Sequence, residues 1–259
     1  MGIINVNDDS FYAGSRASTT GEFSKRFLRL AEEGADIIDI GACSSRPGSV
    51  WCGTAEEWRR LKGPLEEIGK MRREGMDIPQ ISIDTFCSEI VERAYDSIGE
   101  FIVNDISAGE DDPLMLPAVG RLSLRYVAMH KRGLPADMME KCDYEKGLIA
   151  ELLGYFRQFE KMAQLHGISD WILDPGFGFA KSVEQNLFLL ANLDKLLAAG
   201  HPILVGISRK SMVYKPLDLT PETALEATLK LQKIAVLRGA SILRVHDVAE
   251  TKKAISLSI

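Results

Sequence analysis

Several apolar, β-branched runs in this chain end on side chains that can ionise or hydrogen-bond strongly. ISIDTF carries Asp84, FIVNDIS carries Asn104 and Asp105, WILDPG carries Asp174, and SILRVHD carries Arg244 and His246. A charged group at the end of a buried strand needs a partner, and a ligand with complementary donors is one such partner. For any single residue of this kind the ordinary role is a helix N-cap or a turn, and that role is assigned to Asp105, Asp112 and Asp247. Asn5, Asp84, Asn104, Asp174, Lys210, Arg244 and His246 are expected instead to converge from different strands. Arg244 and His246 are two residues apart and so share one face of a strand, just ahead of a helix N-terminus that favours an anion.

The elements that must position these residues follow from periodicity. Short β-rich runs occur at about 2–7, 36–41, 78–84, 101–107, 125–130, 171–174, 203–208 and 241–246, each followed by a stretch with helical spacing. Thr19 with Glu22, and Ser182 with Gln185, have capping-box spacing, while Thr220 before Pro221 reads as an N-cap with proline at the first helical position. Gly34, Gly167, Gly200 and Gly239 fall where helices should stop. Phe23, Phe27, Leu30 and Ala31 form one apolar stripe on the first helix. Eight such units in 259 residues predict an α/β fold, a (β/α)8 TIM barrel occupying 1–259 as a single domain. An open doubly wound sheet of eight parallel strands is the less favoured alternative, because it would have two edges to protect. In a barrel the loops after the strands share one face, which is where the polar strand ends lie.

Composition narrows the function classes. A hydrophobic content of 46% supports a sizeable core, and a net charge of −6 with no basic arm or stripe argues against a nucleic-acid or membrane-surface binder. The four cysteines, Cys43, Cys52, Cys87 and Cys142, have neither zinc-site spacing nor the density of a disulfide framework, so free thiols and a cytoplasmic location are expected. No long apolar span and no leader pattern occur in the sequence.

The ordered segments MGIINVNDDSF, GADIIDIGACSSRPGS, ISIDT, VNDIS, AMH, DPGFGFAK, GISRKSM and GASILRVHDV together resemble the dihydropteroate synthase family over nearly the full chain. The resemblance implies a transferase that joins 6-hydroxymethyl-7,8-dihydropterin pyrophosphate to p-aminobenzoate, with sulfonamides as inhibitors and Mg²⁺ as cofactor. By the same resemblance, Asp84, Asn104 and Asp174 read the pterin edge, and Ser45, Arg46, Pro47, Lys210 and Ser211 serve the substrates. Arg46, Arg244 and His246 hold the pyrophosphate, and Asn5 holds the metal ion. The loops at about 8–18 and 43–54 are expected to close over the substrates, and a homodimer is expected through late helices, with Leu225, Leu229 and Ile234 as candidates that would serve equally as core. Family members also carry a short segment upstream of the first strand.

This chain departs from the family pattern at several places. Asn7 and Asp8 stand where Thr and Pro are common, Cys43 where Glu is frequent, Ser45 where Thr is usual and Ala180 where Gly is common; Glu226 with Ala227 alters another small or polar patch. Three functions therefore stay open at this level: an active synthase, a pterin-binding paralogue with impaired catalysis, and a methyltetrahydrofolate-dependent methyltransferase on a related barrel. SRKS and RVHD speak against the last, because methyl transfer has no pyrophosphate to bind. His130 is expected beside the site, His166 and His201 at helix ends.

Overall fold

The computed structural model describes residues 1–6, 20–43, 51–133 and 137–256. Among these residues eight strands alternate with helical segments in the expected order: β1 (Gly2–Asn5), α1 (Thr20–Glu32), β2 (Ile37–Gly41), α2 (Thr54–Arg73), β3 (Gln80–Asp84), α3 (Ser88–Ile98), β4 (Ile102–Asp105) and α4 (Met115–Leu122). The second half continues with β5 (Arg125–Met129), α5 (Leu148–Leu165), β6 (Trp171–Asp174), α6 (Val183–Ala191), β7 (Leu204–Val205), α7 (Ser211–Tyr214), α8 (Leu225–Leu237), β8 (Ile242–Leu243) and α9 (Val248–Ser256).

Strands β1 to β6 pair in parallel in chain order, and β7 pairs with β8. Single bridges complete the circle, Leu173 to Ile203 on one side and Gly2 to Val245 on the other. Backbone bonds reinforce both seams: the Leu173 amide donates to Pro202 O at 2.9 Å, Ile3 to Val245 O at 3.1 Å and Val245 to Met1 O at 2.9 Å. The sheet is therefore a closed (β/α)8 TIM barrel, and closure removes the two edges an open sheet would expose.

Strand alternation divides the side chains into two cores. Met1, Ile37, Ile102, Val127, Ile172 and Leu204 fill the barrel's lower interior. The outward set, with Ile38, Ile40, Ile83, Val103, Leu173 and Val205, packs under the helices. On α1, Phe23, Phe27 and Leu30 are fully buried, as their spacing predicts. Aromatic packing fixes α5 against β5 and β6: Phe159 stacks on Tyr126 at 5.7 Å and meets Trp171 edge-on at 4.8 Å. The Tyr126 hydroxyl donates to Asp105 at 2.5 Å, and Asp105 also accepts from the Ser107 and Gly109 amides at 2.6 and 2.8 Å. Asp105 thus faces the helix layer and ties its own turn, the structural role assigned to it.

Helix ends follow local chemistry with one exception. Ser182 and Gln185 form the expected capping box on α6. Gly34, Gly167, Gly200 and Gly239 all follow helical segments with positive φ. Thr19 lies outside the described residues. Thr220 does not cap α8, which begins later, after Ala224. The Arg209 guanidinium takes the Pro221 and Glu222 carbonyls at 2.6 and 2.9 Å. Those two oxygens would otherwise begin the helical ladder, so residues 220–223 form a separate turn, with the Thr223 amide donating to Thr220 O at 3.2 Å.

Above the apolar layer the barrel interior turns polar. Asp39, in the middle of β2, is fully buried and accepts from Ser82 Oγ at 2.6 Å, Asn104 Nδ2 at 3.2 Å and Arg244 Nε at 2.7 Å. Arg244 reaches on to Asp84 with its Nη2 at 2.7 Å. One guanidinium therefore joins β8 to β2 and β3 across the barrel axis. Removing one member of such a buried group strands the others without partners, at a cost of about 3 kcal/mol or more. Asp39→Ala is predicted to lower unfolding stability by about 3 kcal/mol, read as a shift of the urea midpoint followed by circular dichroism. A shift below about 1 kcal/mol, the range of an exposed ion pair, would remove this cluster from the account of stability.

Candidate active site

The C-terminal ends of the strands bring Asp84, Asn104, Asp174, Arg244 and Lys210 to one mouth. Asp84 ends β3 opposite Gly41, where an added Cβ would sit 3.4 Å from the Asp84 Cβ and 3.5 Å from its Oδ2. Burial pushes the Asp84 carboxyl up to about 7; Arg244 opposes the shift, while Asp39, Glu57 and Asp105 add to it. Asn104 gives its amide N–H to Asp39 and keeps its side-chain oxygen as an acceptor. Asp174 ends β6, accepts the Gly176 amide at 2.8 Å and is raised by burial, with Lys210 opposing.

Lys210 comes from the other side of the mouth, as the residue before α7. Its Nζ donates to Phe177 O at 2.7 Å and lies 5.1 Å from the Phe179 ring centre. Burial lowers it to about 8, with Asp174 acting against the fall. The mouth thus holds carboxylates on strand ends and a desolvated lysine facing them. Ser211 opens α7 and is half-buried.

The β6 loop that carries Phe177 and Phe179 is wound around Lys181, a residue that sequence reasoning did not select. Lys181 is 1% exposed, and its ammonium donates to His130 Nδ1 at 3.1 Å and to Gly176 O and Phe179 O at 3.0 Å each. Three acceptors match its three N–H groups. Burial lowers Lys181 to about 7, and burial together with Lys181 lowers His130 to about 2, so that His130 is neutral and its Nδ1 accepts. The winding needs positive φ at Gly176 and Gly178. A Cβ at Gly176 would also fall 2.0 Å from His130 O, which excludes any larger residue there. Ala180, where the family commonly has Gly, adopts φ 48 and keeps the turn.

At the opposite rim, His246 Nδ1 lies 3.0 Å from Ser208 Oγ and its carbonyl accepts from Arg26. Burial and the neighbouring Arg244 lower His246 to about 3, so it is a neutral hydrogen-bonding group near neutral pH and not a cation. Arg209 clasps Asp247 with two bonds of 2.9 Å and fixes the β7 loop to the end of β8. Asp112 accepts the Ser88 and Leu114 amides at 2.7 and 2.9 Å. Asp112 and Asp247 therefore have the structural roles expected of them. His166 and His201 follow helical segments, and His201 binds Glu160 at 2.7 Å.

Ser45, Arg46 and Pro47 lie outside the described residues, as do Asn7, Asp8 and most of the two substrate loops. Asn5 ends β1 and is half-buried. Among the described residues no three His, Cys, Asp or Glu side chains gather to hold a metal ion. Asp39 also escaped sequence reasoning, although IIDIG has the same signal as ISIDT, a carboxylate within a buried run. Lys181 had no comparable signal, because a lysine after a Gly-rich turn reads as solvated.

Residues 1–246 match the family described as pterin binding enzyme. The chain is 37% identical, over 98% of its length, to the dihydropteroate synthase of Escherichia coli (strain K12) and covers 88% of it. It is 38% identical to the mitochondrial folate synthesis bifunctional protein of Arabidopsis thaliana, matching over 98% of its own length but spanning only 48% of that protein. A crystal structure of the Yersinia pestis dihydropteroate synthase in complex with a sulfonamide drug superposes with a TM-score of 0.92 at 32% identity, over 99% of this chain and 91% of that one. A barrel mouth lined by strand-end carboxylates, matched over almost its whole length by these relatives, places the chain in the pterin binding enzyme family.

Proposed function

We infer that this protein is a dihydropteroate synthase, a transferase that joins 6-hydroxymethyl-7,8-dihydropterin pyrophosphate to p-aminobenzoate and is open to sulfonamide inhibition. The observation that carries this reading is the convergence of Asp84, Asn104 and Asp174 on one mouth opposite Lys210 and Arg244. A flat pterin presents neighbouring N–H donors and acceptors along one edge. Asp174 has one oxygen on the Gly176 amide and the other available to a donor, and Asn104 adds an acceptor. Such buried acceptors are costly when unmatched, so they select a ligand with the complementary pattern.

In the reaction the C–O bond to pyrophosphate breaks with its electron pair leaving on oxygen, the amine nitrogen of p-aminobenzoate bonds to the exposed carbon, and the amine proton passes to solvent. No side-chain nucleophile is needed, so stabilising the leaving anion is the main demand on the protein. Arg244 is held by Asp39 and Asp84 through Nε and Nη2, and its Nη1 bonds no described group. That donor is assigned to the pyrophosphate, with His246 and Arg46 beside it. Lys210 is assigned to the space between pterin and arylamine, with Ser45, Pro47 and Ser211 completing the arylamine side.

Mg²⁺ suits this donor set as a companion of the substrate. The ion keeps several waters and commonly takes one or two protein oxygens together with phosphate oxygens, which the Asn5 amide oxygen at the end of β1 can supplement. Bound there, it would offset charge on the leaving group. A cytoplasmic location accords with the free thiols, and no described helix is long and apolar enough to cross a membrane.

A homodimer is proposed on the face of α8. This helix turns Thr228, Gln232 and Ala235 inward, leaves Leu225 and Leu229 half-buried, and exposes Ile234 and Leu237 by 40% and 76%. Its apolar residues thus divide, Ala227, Leu231 and Ala235 packing on the core while Ile234 and Leu237 point away from the barrel. Exposed Leu187 and Phe188 on α6 lie in the same region of the barrel. Light scattering at micromolar concentration should give twice the chain mass, and Ile234→Glu with Leu237→Glu should halve it; a monomeric parent protein would refute the assignment.

Incubation with both substrates and Mg²⁺ should yield dihydropteroate and pyrophosphate in equal amounts, with pterin affinity greatly weakened in Asp174→Asn because an amide must also donate. Pterin binding without product would select the non-catalytic paralogue. Lys210 supplies a pH signature. With its pKa lowered to about 8, its charge is present below that pH and lost above it, so kcat/KM should fall as pH rises through about 8. Lys210→Arg should lose this limb whatever its residual rate, and a limb unchanged in that variant would assign it to another group.

A further inference from the structure

Cys43 lies two residues beyond β2, and Cys52 lies two residues before α2. Their Sγ atoms are 2.7 Å apart, both side chains are half-buried, and both thiols are free. The contact is held from both sides by the fold. Arg60 of α2 donates to Ala42 O at 2.9 Å, the residue before Cys43, and is itself fixed by Glu56 at 2.7 Å. Trp51, the residue before Cys52, donates to the buried Glu57 at 2.9 Å and packs against Phe86 at 5.3 Å. Two thiols pinned in contact by anchored neighbours meet the positional demand of disulfide formation. The alternative of a metal site finds no set of three suitable ligands among the described residues.

We propose that Cys43 and Cys52 are a redox-modification site, a dithiol that disulfide-class oxidants such as oxidised glutathione convert to an intramolecular disulfide, altering arylamine binding. The last clause rests on the synthase reading; the pairing of the thiols does not. Burial, with Glu57 beside it, pushes the Cys43 thiol up and disfavours it as the first nucleophile, and the first attack is assigned to Cys52. The Cys52 thiolate attacks one sulfur of RSSR, forms a mixed disulfide and expels RS⁻. Cys43 then gives its proton to solvent, attacks the Cys52 sulfur and expels the second RS⁻. The protein loses two electrons and two protons, and RSSR becomes two RSH. The product is uncharged, which suits a rim where burial and Glu57 disfavour a thiolate at Cys43.

The disulfide closes a covalent ring from Cys43 to Cys52 whose sequence includes Ser45, Arg46 and Pro47. A ring of this kind restricts the conformations open to the chain inside it. Ser45 and Pro47, assigned to the arylamine, lie inside the ring, whereas Asp84, Asn104 and Asp174 lie outside it, so the change should fall on the arylamine and, through Arg46, on the pyrophosphate, but not on the pterin ring.

The test equilibrates the full-length protein with glutathione buffers from fully reduced to fully oxidised, then maps peptides without reduction. The expected result is a Cys43–Cys52 peptide lacking two hydrogens, reversed by dithiothreitol, with thiol titration falling from four groups to two. KM for p-aminobenzoate should change by about threefold or more between the two forms, while the affinity for 6-hydroxymethyl-7,8-dihydropterin, which lacks the pyrophosphate, stays within about twofold. Cys52→Ser should keep the reduced enzyme's activity and lose the response. Absence of the Cys43–Cys52 peptide in fully oxidised glutathione, or pairing with Cys87 or Cys142 instead, would overturn the site. A disulfide that leaves the KM for p-aminobenzoate unchanged would overturn the control of arylamine binding. Lack of synthase activity in the reduced protein would instead count against the functional reading, since the peptide map is read without turnover.

Discussion

Arg244 between Asp39 and Asp84 is the interaction on which the rest of the mouth depends. A guanidinium brought from β8 and two carboxylates from β2 and β3 could not be buried separately, because each would keep its full desolvation penalty. Together they form a connected group, in which Ser82 and Asn104 satisfy the remaining oxygens of Asp39. The arrangement also sets the charge available to a ligand. Two of Arg244's donors are engaged, so it presents a held edge rather than a mobile cation, and Asn104 is turned so that its carbonyl oxygen is left over. Stability and ligand recognition thus draw on the same side chains.

A second, independent scaffold holds the other half of the mouth. The β6 loop is fastened by Lys181, whose three donors gather His130, Gly176 and Phe179. That winding places the Phe177 carbonyl where Lys210 donates to it and the Gly176 amide where Asp174 accepts it. Neither Asp174 nor Lys210 is therefore positioned by its own strand or helix alone. The desolvation that keeps the Lys210 ammonium close to its discharge point and raises the Asp174 carboxyl has the same origin, since both groups are enclosed by this loop. The opposite signs of the two shifts follow from which protonation state carries the charge.

The helix layer shows how far a local pattern can mislead about direction. Phe23, Phe27 and Leu30 of α1 point inward, whereas the apolar positions of α8 divide, with Ala227, Leu231 and Ala235 on the core beside buried Thr228 and Gln232, and Ile234 and Leu237 exposed. Gln232 is buried because Thr251 of α9 donates to it at 3.0 Å, a partner supplied by the neighbouring helix. A polar group becomes an acceptable core residue only when such a partner arrives.

The sequence by itself determined the eight alternating units, the α1 stripe, the α6 cap and the polar ends of β3, β4, β6 and β8. All of these rest on periodicity, capping or turn chemistry within a few residues, where the chain's own geometry limits the choice. Tertiary structure decided which of those groups meet. Asp39 and Arg244 are 205 residues apart and become partners only when the barrel closes. Lys181 becomes a buried anchor only when the β6 loop folds back on His130, and the turn at Thr220 forms because Arg209 claims the carbonyls that would have started a helix. Cys43 and Cys52, nine residues apart, come into contact because Arg60 draws α2 onto the end of β2. In each case the energy of a polar side chain is set by the groups packed around it, and neighbours distant in sequence are fixed by closure of the sheet and docking of the helices.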